Sequence, residues 1–113
     1  MIPTARSPPS TGETPAERVL SLDDDGVGAV ADALSSATAR AVLRRLGRDP
    51  APASAVAEAV GESIQTVGYH LDRLDAAGLV RAVDTRYSPK GREMDVYAPV
   101  PVTIVCESPD RRD

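Results

Sequence analysis

Residues 63 to 80, SIQTVGYHLDRLDAAGLV, restrict the possible folds more than any other stretch, because they join a helix start, a one-sided apolar pattern and a glycine stop. Ser63 suits an N-cap, and Ile64, Val67, Leu71 and Leu74 recur at the i, i+3, i+7, i+10 spacing of one helical stripe. At roughly 100° per residue, Gln65, Thr66, Tyr69 and Arg73 gather on the opposite side. They carry donors, acceptors, an aromatic ring and a fixed charge, the equipment for meeting base edges and phosphates. A polar face by itself is common to all amphipathic surface helices, so the neighbouring segments have to decide its meaning.

Upstream, ASAVAEAV (53–60) is a shorter helix with Val56, Ala57 and Val60 on one face, and Gly61 breaks it just before Ser63. Helix, short turn and helix, with small residues on the first, is the pattern of a helix-turn-helix with a steep crossing. After Gly78 come LVRAVDTRY, SPKG and REMDVYA. Two runs with Val, Thr and Tyr flank a turn with proline second and glycine fourth, which predicts a β-hairpin closed by a type I turn. Arg86, Lys90 and Arg92 lie on or beside its tip. The expected fold class is mainly α with a β-hairpin wing, a winged helix-turn-helix.

The run TVGYHLDRLDAAGLV, with SSATARAVLRRLG upstream and the basic hairpin downstream, resembles the ArsR/SmtB-type winged helix-turn-helix transcription regulators. The wing and exit, VDTRYSPKGREMDVYAP, look most like versions from halophilic archaea. The resemblance covers about residues 34–99 and is most specific in the helix and wing. It implies a homodimer on operator DNA, with Gln65, Thr66, Tyr69 and His70 at positions that approach the major groove. Gly68 stands where the family often has serine, and Glu62 where a turn residue is usually aliphatic.

The rest of the chain is expected to divide simply. Residues 1–22, with Pro3, Pro8, Pro9 and Pro15 among Ser, Thr and Gly, read as a disordered arm. Residues 23–106 form the domain with its dimerisation elements, and 107–113 a frayed tail. Asp23 to Asp25 give an acidic start to a helix through about Leu34. Ser36 caps a second helix whose buried stripe is Ala39, Val42, Leu43 and Leu46, with Arg40, Arg44, Arg45 and Arg48 outside. VPVTIVC (100–106) reads as a further strand. With no Trp or Phe and three Tyr, the core is built from Ala, Val, Leu and Ile. Such a core is thin for a chain of 113 residues, and dimerisation through the first helix or the exit strand is the natural remedy.

Net charge is -4, unlike the usual basic DNA binder. Its distribution is uneven: nine basic and six acidic residues lie between Ser36 and Arg92, a local +3, and the remainder carries four arginines and eleven acids. Moving the boundary past Glu93 and Asp95 reduces the local value to +1, so the asymmetry is modest. The acidic remainder, with twelve Arg to one Lys, fits a protein working in concentrated salt. A cytoplasmic location is expected, since no apolar run approaches the roughly 18 residues of a membrane span and the start has no secretory signal.

His70 is the only histidine and Cys106 the only cysteine, so no zinc or thiolate cluster is expected within one subunit, nor any cofactor. His70 is expected to bond a phosphate or a structural partner, and Cys106 to be a small buried hydrophobe in its strand. There is no catalytic triad spacing, phosphate loop or metalloprotease motif, so an enzyme is not expected. The functional expectation is a sequence-specific transcription regulator whose partners are double-stranded DNA and a second copy of itself, with an unknown effector. DNA contacts are assigned to Ser63, Gln65, Thr66, Tyr69, His70, Arg73, Arg86, Lys90 and Arg92. The alternative is a winged-helix adaptor between proteins, without sequence-specific DNA binding.

Overall fold

The computed structural model describes residues 16–107. Its elements in chain order are β1 (Arg18–Ser21), α1 (Gly26–Leu34), α2 (Ala37–Leu46), β2 (Ala51–Pro52), α3 (Ala53–Val60), α4 (Ile64–Ala76), β3 (Val80–Tyr87), β4 (Glu93–Pro99) and β5 (Val102–Val105). The four helices and the β3–β4 hairpin form a winged helix-turn-helix. The arm expected over 1–22 and the tail expected over 107–113 lie mostly outside the described residues.

Helix ends follow local chemistry. Ser36 Oγ accepts a hydrogen bond from the Ala39 N–H (3.1 Å) at the start of α2, and Ser63 Oγ does the same for the Thr66 N–H (3.0 Å) at the start of α4. Gly61 (φ 76°) closes α3 in the left-handed conformation that most side chains disfavour. α4 ends in a Schellman arrangement: Gly78 N–H bonds the Asp75 carbonyl, Leu79 N–H bonds the Leu74 carbonyl at 2.8 Å, and Leu74 and Leu79 are both buried. α1 begins at Gly26 with Asp25 at its N-cap position, so the expected acids precede the helix and none lies in its first turn. The Asp24 carboxylate turns back and accepts from the Ser21 N–H at 2.8 Å.

The core is assembled from Val30 of α1, Val42 and Leu46 of α2, Val56 of α3, and Val67, Leu71 and Leu74 of α4, with Val80 and Val96 from the sheet. No isoleucine belongs to the described core: Ile104 is half-buried and Ile64 exposed. Val83, Val96 and Ala98 make a second small cluster. Tyr97 of β4 is half-buried, and burial first, then Asp95, Asp72 and Asp75, push its hydroxyl pKa up, so it stays protonated.

Two sheets are present among the described residues. One is the wing sheet, order β2-β4-β3, in which Ala51 and Pro52 pair with Tyr97 and Val96. The short link between α2 and α3 therefore also contains a ladder. The other pairs β1 with β5 in parallel, from Arg18↔Val102 to Ser21↔Val105. Arg18 to Ser21 lie within the stretch expected to be a disordered arm. That expectation changes because the ends of the domain meet. A parallel pair needs a long crossover, and here the helices and the wing supply it. Alternation turns Leu20 inward and leaves Val19 (63% exposed) and Val105 outside. Cys106 lies just past β5 and is exposed, not buried as expected, because the strand ends at Val105.

Candidate nucleic-acid interface

The capped amino end of α4 and the tip of the hairpin present the chemistry of interest. Ser63 Oγ both accepts from the Thr66 N–H and donates to Thr66 Oγ1 (3.0 Å), so the cap is braced twice. Gln65 is exposed, Tyr69 is 57% exposed, and Thr66 and His70 are half-buried. Val67, Leu71 and Leu74 are buried beneath them, as the stripe requires.

Ile64 departs from that stripe, with 58% exposure. Its spacing is right, but as the first residue of α4 it lies at the end of the helix, where little of the core reaches it. The result is a large exposed apolar side chain on the same helix as Gln65 and Tyr69. Sequence reasoning missed it because periodicity does not record where the covering helices stop.

Tyr69, His70 and Arg73 form a connected set. The Tyr69 and His70 rings meet edge-on, with centroids 5.2 Å apart and planes at 75°, and the Arg73 guanidinium lies 5.9 Å from the Tyr69 ring centroid. Arg73 also pairs with Asp32 of α1, Nη2 to Oδ2 at 2.5 Å. The Tyr69 side chain, and after it the Asp32 charge, raise the Arg73 pKa, so it remains a cation. Arg73, expected as a free contact residue, thus has a carboxylate partner 41 positions away. Its local sequence holds no sign of this.

The hairpin tip is well defined. Gly91 N–H bonds the Ser88 carbonyl at 2.8 Å, which closes the expected turn, and Ser88 N–H bonds the Arg92 carbonyl at 2.8 Å. Gly91, at φ 80°, supplies the left-handed residue that follows a type I turn in a three-residue hairpin loop. Ser88 Oγ accepts from the Lys90 and Arg92 N–H groups. Arg86, Lys90 and Arg92 are all exposed, as is Tyr87 (69%), an aromatic side chain that sequence reasoning passed over as a strand residue. Among the described residues, no group of three or more His, Cys, Asp or Glu side chains is arranged to hold a metal ion.

Comparison with known proteins bears on this arrangement. Residues 34–83 match the family model described as a helix-turn-helix domain. The chain is similar to a winged helix-turn-helix DNA-binding domain from Mycobacterium bovis, described as homodimeric and as a possible ArsR-family transcriptional regulator. Identity there is 25% and the TM-score 0.55, over 66% of this chain and 64% of that one. An ArsR-like transcriptional regulator from Rhodococcus sp. RHA1 gives 29% identity and a TM-score of 0.54, over 66% of this chain and 65% of that one. The chain thus spans slightly less than two thirds of either. NolR from Sinorhizobium fredii shares the fold at 23% identity and a TM-score of 0.53, over 66% of this chain and 69% of NolR. No curated protein matches the chain. Among the described residues, no helix is long and apolar enough to cross a membrane.

Proposed function

We propose that this protein is a sequence-specific DNA-binding transcription regulator of ArsR type, not an enzyme, acting as a homodimer on a near-palindromic operator. The observation that carries the reading is a doubly braced helix start that exposes Ile64, Gln65 and Tyr69, in a fold whose hairpin tip exposes Arg86, Lys90 and Arg92. Gln65 can pair bidentately with adenine, and Ile64 or Tyr69 can pack on a thymine methyl. Ser63 and the amino end of α4 suit a phosphate, with Thr66 and His70 at the margin of the groove. The wing cations grip backbone, with one guanidinium reaching a minor groove. Arg73 holds Tyr69 in place and stays within reach of a phosphate. The dimer would set two recognition helices about 34 Å apart, one DNA turn, or a multiple of it. The acidic remainder fits work in concentrated salt, in the cytoplasm.

The test is a set of folded variants titrated against operator variants enriched from genomic fragments. Gln65→Ala is expected to cost roughly 1 to 3 kcal/mol and relax preference at one base pair, whereas Lys90→Ala weakens all sequences alike. Leu71→Ala, which empties a buried site, costs about 2 to 5 kcal/mol of folding stability and serves as the control. Should Gln65→Ala and Tyr69→Ala both leave affinity and preference unchanged, the helix does not read DNA and the adaptor reading replaces this one.

A further inference from the structure

A groove of about 400 Å³ lies between the second half of α2 and the carboxyl end of α3, lined by Ala41, Arg44, Arg45, Arg48, Ala59 and Val60. Three of its six lining residues are arginines and none is an acid, in a chain whose net charge is -4. Basic side chains near a helix carboxyl end usually answer its exposed carbonyls. Arg45 does so: Nη1 donates to the Asp49 carbonyl at 3.3 Å and pairs with the Asp49 carboxylate at 3.1 Å. Arg44 and Arg48 do not. Both are exposed, one helical turn apart, and neither has an ion pair or side-chain hydrogen bond among the described residues. The small side chains of Ala41 and Ala59 keep the space before them open.

Position gives the groove a ligand. Val60 is followed by Gly61 and the capped start of α4 at Ser63, so the arginines stand beside the entry to the recognition helix, on elements separate from the wing. Resting on the DNA-binding reading above, we propose that Arg44 and Arg48 form a second phosphate-binding surface, which takes the DNA backbone beside the groove entered by α4. Arg44 lies in the last turn of α2 and Arg48 just past its end, and guanidinium forks suit phosphate oxygens. Contacts of this kind position the protein and carry no base information.

The test uses the full chain and a duplex selected from genomic fragments, with the doubly substituted Arg44→Gln, Arg48→Gln protein compared with wild type across a salt series. Two lost phosphate contacts make the log affinity against log salt slope shallower by about 1.8, and they weaken every operator variant by the same factor. Arg44→Lys with Arg48→Lys keeps the wild-type slope, because the charge remains. Circular dichroism melts confirm that all three proteins are folded. If the glutamine variant keeps wild-type affinity and slope while Gln65→Ala still changes base preference, the groove takes no DNA phosphate and the inference is overturned, with the DNA-binding reading intact. If the wild type binds no duplex, titration with inorganic pyrophosphate separates the sources. Binding that requires Arg44 and Arg48 would make the ligand a free phosphate compound and overturn the assignment to DNA, and no binding would overturn the site altogether.

Discussion

Arg73 has two claims on it. Its guanidinium pairs with Asp32 across the α1–α4 junction and at the same time lies over the Tyr69 ring, so a side chain of the first helix bears on the orientation of an exposed ring on the recognition helix. The ion pair is exposed, with Asp32 at 71%, and exposed pairs contribute little to folding. Its consequence for binding is larger. In the proposed DNA complex, a phosphate approaching α4 would compete with Asp32 for Arg73, and the Asp32 carboxylate would repel it. Asp32→Asn is therefore expected to leave the melting temperature nearly unchanged, raise DNA affinity and steepen the salt dependence by about one phosphate, a slope change near 0.9. A salt titration of both proteins on one duplex decides this. An unchanged slope would mean that Arg73 stays committed to Tyr69 and never reaches the backbone.

The helices and the wing were legible because their information is local. Period 3.6 identified Val67, Leu71 and Leu74, serine caps fixed where α2 and α4 begin, and SPKG supplied the tip of the hairpin. β2 and β1 were not legible, being two and four residues long with partners more than 40 positions away. Of the site, the polar face of α4 and the wing cations were legible, whereas Ile64 and Asp32 depend on where other elements end or cross. Glycine illustrates the same division along and just past α4. The sequence marks Gly78 as a stop and Gly68 as interior, but not what surrounds them: a Cβ at Gly68 would meet nothing within 4 Å, while Gly78 has φ 78° and its Cβ would strike the guanidinium of Arg18. That guanidinium donates to the Ala77 and Gly78 carbonyls at 3.0 and 2.9 Å, and so caps the negative end of the helix. Gly68→Ala should stabilise the fold by about 0.5 to 1 kcal/mol. Gly78→Ala should cost about 1 to 2 kcal/mol in backbone strain alone, and more once Arg18 is displaced. Paired thermal melts that moved in the same direction would contradict this account of how α4 ends.

At the level of assembly, the α1–β5 end of the domain carries uncovered apolar surface. Val30, Leu34, Leu43, Val100, Val102 and Ile104 line an open groove of about 280 Å³ between α1, α2 and β5, and Val19 and Val105 are exposed on the other face of the β1–β5 ribbon. β5 already pairs with β1, so what remains for a second copy is this apolar surface and the free edges of a two-stranded ribbon. Two chains of charge -4 repel each other, and that repulsion is long-ranged only in dilute salt: the Debye length falls from roughly 10 Å at 0.1 M to about 3 Å at 1 M. Burial of apolar surface is not screened in this way. The proposed homodimer should therefore tighten as KCl rises from 0.1 M to molar concentration, the opposite of an interface held by ion pairs. Replacing Val102 and Ile104 with threonine should loosen it at every salt concentration while the isolated domain stays folded. Sedimentation equilibrium at several KCl concentrations measures both effects. A chain that stays monomeric at micromolar concentration in molar salt would exclude the dimer, and a dimer that dissociates as salt rises would place the contact on charged residues and away from the α1–β5 face.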